Sequence, residues 1–152
     1  MTAVIQRVRS ATVRVDGNEV GSCGEGLFIL LGVFSGDSEK DAEVLATKIS
    51  KLRIFTDEND KLNLSVNDIG GSALVVSNFT LCANYSHGNR PDYISAEAPQ
   101  RANELYCHFA DKLQGLLVSG EVGKGSFGDH MVIDPILDGP ITIVMDSKVL
   151  IK

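Results

Sequence analysis

Hydrophobic and polar residues alternate through the first two dozen positions of the chain. In TAVIQRVRSATVRVDGNEVGSC, Ala11, Val13 and Val15 share one side while Thr12 and Arg14 take the other, the period-two pattern of a strand with one buried face. Asp16-Gly17-Asn18 supplies turn chemistry before a second strand from Glu19 to Cys23, so the chain opens as a hairpin. GLFILLGV drops the alternation for a continuous apolar run, the mark of a strand covered on both faces. The period then lengthens. Ala42, Leu45, Ala46, Ile49 and Leu52 recur at helical spacing behind a Ser38/Asp41 capping box, leaving Lys40, Lys48 and Lys51 toward solvent. After the turn-rich TDENDKLN, the run SALVVSNFTL reads as another buried strand with Thr80 as a β-former inside it, followed by the loop NYSHGNRPDY. Pro99 suits the first turn of a second helix, whose stripe is Ala102, Leu105, Tyr106, Phe109 and Leu113. From Gly115 onward the pattern is strand again, with glycines at the corners. Strands outnumber helices, which predicts an α+β domain with two helices covering one side of a curled sheet.

One piece of punctuation stands out in ILDGPITIVMDS. Gly139-Pro140 sits at the mouth of an apolar strand, although proline lacks the amide hydrogen a sheet ladder needs and X-Pro bonds alone turn cis at modest cost. Either the pair starts a strand, or its backbone has a task. Pro135 is expected to interrupt the strand that precedes it.

Composition narrows the field. The 152 residues, 43% hydrophobic and 22% charged, fit one soluble domain over positions 1–152. The longest apolar run, Leu27 to Val33, is too short to cross a bilayer, and MTAVIQRVRS has no signal-peptide core, so a cytoplasmic protein without membrane contact is expected. Cys23, Cys82 and Cys107 are too scattered for a disulfide framework and read as small buried hydrophobes. A net charge of −6 argues against a protein that coats DNA or long RNA, while leaving contact with one RNA end open.

Several motifs carry no chemistry. Gly123, Gly125 and Gly128 spell G-x-G-x-x-G, yet the strand-like DHMVIDP behind them offers no helix N-terminus for a pyrophosphate. Lys124 is followed by Gly125 where a phosphate loop needs Ser or Thr. His87 falls in a loop and His108 on the polar face of the second helix, both as solvated residues; His130, beside Asp129, is retained as a tuning residue. No metal-ligand set and no cofactor fingerprint is present.

VVSNFTL (Val75 to Leu81) and LDGPIT (Leu137 to Thr142) resemble the paired signatures S-Q-F-T-L and N-x-G-P-V-T of the D-aminoacyl-tRNA deacylases. AVIQRV, LLGV, LRIF, KLNLSV, GGSALVVS, GNRPDY, PQRANELYCHF and FGDHM fall in the family's order as well, so the resemblance covers essentially the whole chain. It implies a barrel-like mixed sheet with two main helices on one side. It also implies a homodimer whose site lies at the subunit interface, where a cis Gly-Pro peptide of one subunit completes the pocket of the other. On this chain that peptide is Gly139-Pro140, held by Arg7, and Met131 lines the pocket.

The implied activity is hydrolysis of D-aminoacyl-tRNA, with glycyl-tRNA also admitted and L-aminoacyl esters rejected by collision with the Gly139 backbone. The implied partner is the aminoacylated 3′ end of tRNA; from charge alone, and not from the resemblance, local basic residues such as Lys40, Lys48, Lys51 and Arg90 are the expected RNA contacts despite the acidic total. Ser77, Asn78, Phe79 and Thr80 form the catalytic surface, with the Phe79 and Thr80 amides as oxyanion donors, each worth about 2.7–4 kcal/mol, and with Phe79 also near the terminal adenine. Water assisted by the ribose 2′-hydroxyl is the expected nucleophile; the Thr80 hydroxyl is the alternative and lacks a visible base. Two departures from the signatures bear on this: Asn78 stands where the family has Gln, and Leu137 where it has Asn. Three other readings remain: a related deacylase group with a trans Gly-Pro that clears L-alanine from tRNA, a non-catalytic dimer that binds tRNA ends, and a small-ester hydrolase using Thr80.

Overall fold

β1 (Thr2–Val15) organises the sheet. In the computed structural model, which describes residues 1–151, its first half pairs antiparallel with β3 (Gly26–Gly32) from Thr2 opposite Gly32 to Val8 opposite Gly26. Its second half pairs with β2 (Asn18–Cys23) through the expected turn, where Asp16 and Gly17 take φ values of 49° and 80°. β6 (Ser72–Ser77) adds parallel to β3, and β7 (Val122–Lys124) parallel to β6. Parallel neighbours need crossovers. The first carries α1 (Glu39–Ser50) and a small hairpin of β4 (Phe55–Thr56) and β5 (Leu62–Leu64); the second carries α2 (Pro99–Leu116).

The sheet curls until β7 meets β2. A Cβ on Gly21 would lie 2.1 Å from the Lys124 carbonyl oxygen, and one on Gly123 would lie 2.5 Å from that of Ser22. Absence of side chains at these two positions is what lets the backbones touch and nearly close a barrel. Closure divides the core in two. Ile5, Leu27, Ile29, Leu31 and Val75 pack against Leu45, Ile49, Leu105, Phe109 and Leu113 of the helices. Val8, Ala11, Val13, Phe28, Leu74 and Val76 fill the barrel interior. β3 therefore has apolar residues on both faces, as its unbroken hydrophobic run predicts.

Both helices follow their sequence signals. At the start of α1 the Asp41 carboxylate accepts from the Ser38 amide and hydroxyl, each at 2.9 Å. Burial acts to raise the pKa of Asp41, but hydrogen bonds from Ser147, Lys148 and Ser38 outweigh it and hold the carboxyl well below the usual range. The same cluster buries the Met1 ammonium, 2.7 Å from Asp37 and donating to Ser147 Oγ at 2.9 Å, so β1, α1 and the chain's last turn are tied at one point.

Four features depart from the sequence reading. β6 ends at Ser77, and Phe79–Cys82 is a 3-10 turn; Thr80 is exposed on it and does not lie in a buried strand. The reason is Asn78, whose side chain caps the turn by accepting from the Thr80 amide at 3.2 Å. Pro135 does not break its strand: β8 (Val132–Asp146) runs through it and pairs with β1, with no strand on its other side among the described residues, and an edge strand tolerates proline. A further single turn, α3 (Ser147–Leu150), is capped by Asp146. His108 is half-buried against α1, its Nε2 3.4 Å from Glu43 Oε1, and is not a freely solvated residue.

Candidate functional site

A cavity of about 590 Å³ opens where β6 runs into its 3-10 turn. Ser77, Asn78 and Phe79 form one wall, Tyr93, Glu97, Pro99 and Ala102 at the start of α2 form a second, and Phe127, Asp129 and Met131 from the β7–β8 connection form a third. The walls are braced from behind. Tyr106 donates its buried hydroxyl to the Val75 carbonyl at 2.9 Å and packs on Phe127 with ring centroids 6.0 Å apart; burial pushes its phenol pKa up. Met131 joins the cavity to the barrel core, because glycine at 125 leaves room for its sulfur: a Cβ there would lie 2.9 Å from Met131 Sδ.

The Asn78 turn fixes the chemistry available. Asn78 Oδ1 accepts from both the Thr80 amide and the Thr80 hydroxyl. The Thr80 N–H is thus already engaged, whereas the Phe79 N–H has no acceptor among the described residues. An amide oxygen is not a base, so nothing bonded to the Thr80 hydroxyl activates it as a nucleophile. Phe79 is 58% exposed and meets Tyr93 edge-on at 5.0 Å. Among the described residues, two carboxylates line the cavity and no Lys, Arg or His does. Glu97 accepts from the Gly36 and Ala98 amides at 3.3 and 2.8 Å, and Asp129 from the Ser126 hydroxyl. Among the described residues no three His, Cys, Asp or Glu side chains gather into a set that could hold a metal ion.

On the far side of β1, the strand register changes abruptly. Gln6 faces Thr142 and Val8 faces Leu137, so Asp138, Gly139, Pro140 and Ile141 all stand opposite Arg7 alone. Gly139-Pro140 is therefore a tip looped out of the middle of β8; of the two alternatives the sequence left open, a plain strand start does not hold. Its peptide bond is cis, and both residues are exposed. A Cβ at Gly139 would lie 2.3 Å from the Ile141 nitrogen, which reserves the position for glycine. Arg7, its side chain only 12% exposed, grips the loop: Nε donates to the Asp138 carbonyl at 2.8 Å and lies 3.3 Å from its carboxylate, while Nη1 donates to Ile54 O at 3.0 Å and Thr56 Oγ1 at 3.1 Å.

The family model described as D-Tyr-tRNA(Tyr) deacylase matches residues 4–146. The chain belongs to this deacylase family. A D-aminoacyl-tRNA deacylase of Paracoccus denitrificans is 51% identical over 147 residues, covering 97% of each chain. One of Persephonella marina is 51% identical over 150 residues, covering 99% of this chain and 100% of its own. Among solved structures, a c-Myc DNA unwinding element binding protein superposes with a TM-score of 0.88 at 36% identity, over 96% of this chain and 98% of that one.

The deacylase signatures thus form two separate clusters on one chain. Ser77, Asn78, Phe79 and Met131 line the cavity, with Thr80 beside them on the turn; Gly139 and Pro140 form the tip, which Arg7 of β1 holds, and none of these three lines the cavity. Sequence reasoning assigns no site role to Tyr93, Glu97, Ala102 or Phe127, which come from two separate stretches, the segment leading into α2 and the β7–β8 connection, and share no regular spacing; Ala102 reads only as part of the α2 stripe. Tyr93 ends the quoted GNRPDY loop, the one signal available. His130 is exposed and does not line the cavity. The basic residues expected to meet RNA do not converge: Lys48 and Lys51 border a separate groove along α1 that Arg53, Lys112 and Leu150 also line, Lys40 is exposed near the start of α1, and Arg90 lies in the loop before Tyr93.

Proposed function

We propose that the chain is a homodimeric D-aminoacyl-tRNA deacylase, acting in the cytosol, in which Gly139-Pro140 of each protomer closes the cavity of the other and screens the handedness of the amino acid. The observation that carries this reading is the separation of two prepared halves. Neither Gly139 nor Pro140 lines the cavity of its own chain, and among the described residues the clamped tip is exposed. β8 also exposes Val132, Ile136, Leu137 and Val144, each at least half accessible, along an edge strand that a second copy would cover.

The cavity's charge fits an aminoacyl ester. Such a substrate keeps a positive α-ammonium but has no free carboxylate, which suits a lining that holds Asp129 and Glu97 and no cation. With the ammonium held by backbone carbonyls of the partner tip, the Cα configuration decides where the side chain goes. A D-residue projects outward, an L-residue strikes the Gly139 backbone, and glycine passes. Water attacks the ester carbonyl carbon, its proton leaving by way of the ribose 2′-hydroxyl. The developing oxyanion takes the open Phe79 N–H, the bond to the ribose 3′-oxygen breaks, and that oxygen is protonated, releasing free amino acid and tRNA.

Purified protein assayed on D-Tyr-, L-Tyr-, Gly- and L-Ala-tRNA tests the reading. Rapid loss of the D-tyrosyl and glycyl esters with the L-tyrosyl ester intact is expected. Preferential clearance of L-Ala-tRNA would instead assign the related L-alanine deacylase activity, and no turnover at all would leave a tRNA-end-binding dimer.

A further inference from the structure

We propose that the loop from Asn84 to Asp92 is a docking track for the unpaired nucleotides that precede the aminoacylated adenosine, with Tyr85 stacking on a base and Arg90 meeting a phosphate. The proposal rests on the deacylase reading and extends it from the terminal nucleotide to its neighbours.

The loop is preformed. Asn84 and Asp92 exchange two backbone hydrogen bonds of 2.9 Å, and the Asn84 side-chain Nδ2 donates to Asp92 Oδ2 at 3.1 Å. Asn84 Oδ1 accepts from the Ser86 amide and hydroxyl at 3.1 and 2.8 Å, and Gly88 takes the turn at φ 77°. A loop pinned at its base in this way presents its side chains with little ordering left to do on binding. What it presents is unusual for a water-facing segment. Tyr85 is 77% exposed, and Arg90 is exposed with no ion pair among the described residues.

Position selects the occupant. Asp92 is followed directly by Tyr93, which lines the cavity and carries the Phe79 ring against it, so the pinched base of the loop adjoins the cavity mouth. On the proposed track, a terminal nucleotide seated in the cavity hands its chain out past this edge. The cavity is lined by carboxylates and repels phosphate, so the phosphates need a cation outside it, and Arg90 is the arginine of the loop. A tRNA 3′ end is single-stranded; its bases offer π-faces to an exposed aromatic ring whatever their identity.

Hydrolysis of 3′-O-D-tyrosyl-adenosine and of D-tyrosyl-CCA trinucleotide is compared for wild type, Tyr85→Ala, Tyr85→Phe and Arg90→Ala. In wild type the two added nucleotides lower KM by about tenfold or more. Tyr85→Ala and Arg90→Ala lose that gain and match wild type on the adenosine ester, which also shows that they fold. Tyr85→Phe keeps it, and Arg90→Ala reduces the salt dependence of trinucleotide binding by about one charge. No gain from the trinucleotide in wild type, equal losses on both substrates, or a Phe variant as weak as Ala would overturn the track while leaving the deacylase reading intact. Failure of wild type on both substrates and on D-Tyr-tRNA would remove that reading and the track with it.

Discussion

Arg7 Nε donates to the Asp138 carbonyl oxygen at 2.8 Å, across the point where four residues of β8 stand opposite one of β1. A single planar guanidinium thereby ties the looped tip to β4, through Thr56, and to the neighbouring Ile54 carbonyl. Leu137, which replaces the signature asparagine, is half exposed, so the tip is held by Arg7 and Asp138 and not by the side chain at 137.

Arg7→Lys keeps the charge and loses the fork. It is expected to cost about 1.5–3 kcal/mol of stability, the range for hydrogen bonds to charged groups, and to slow D-aminoacyl-tRNA hydrolysis at least tenfold by releasing the tip. Urea unfolding and single-turnover rates measure the two effects separately.

Thr80→Val and Asn78→Ala should part company. Thr80→Val removes a hydroxyl that has no base and should retain most of the deacylation rate. Asn78→Ala removes the cap of the turn, costing about 1 kcal/mol, and lets the Phe79 amide drift from its position, so the rate constant should fall more than KM rises. A Thr80→Val enzyme with no residual activity would point to the hydroxyl as nucleophile.

These outcomes bear on how much the sequence disclosed. The hairpin, the α1 capping box and the α2 stripe are written in neighbouring residues, and each was legible. The turn at Phe79 was not, because VVSNFTL carries no glycine or proline and places strand-forming residues on both sides of Asn78, so only the Asn78 side chain, folding back on Thr80, ends the strand. The looping-out of the tip was not legible for another reason: the surplus of β8 residues exists only in its pairing with β1, a relationship spanning some 130 residues. The cavity wall of Tyr93, Ala102 and Phe127 is likewise assembled by topology, with no local pattern to announce it.

Asp41 makes stability pH-dependent at the acid end. Its pKa lies below that of the unfolded chain, so the stabilisation is fully present above the ordinary carboxylate range near pH 4 and is lost as pH falls toward the depressed value. Asp41→Asn should lower stability at pH 7 by about 2 kcal/mol and flatten the decline between about pH 4 and pH 2. Lys148 behaves oppositely. Hydrogen bonds to Asp41 and Asp37 raise its pKa, so its contribution is present below the unfolded value and lost as pH rises through the folded one. Equilibrium unfolding across pH for both proteins checks the sign.

Gly21→Ala should act on the barrel seam. Its methyl would meet backbone, the Lys124 carbonyl at 2.1 Å, which cannot rotate away. A loss of about 1–3 kcal/mol is expected, with β7 separating from β2 first; amide exchange at Ser22 and Lys124 reports it.

Mixing two inactive variants probes the shared site most directly. Gly139→Ala deforms the tip, and Ala102→Trp fills the cavity wall. Dissociated and reassociated in equal amounts, they form hybrids in which one cavity and one tip are intact, and about one quarter of wild-type D-Tyr-tRNA deacylation should return. Hybrids verified by native mass spectrometry that recover nothing would show that each chain works without its neighbour's Gly139-Pro140.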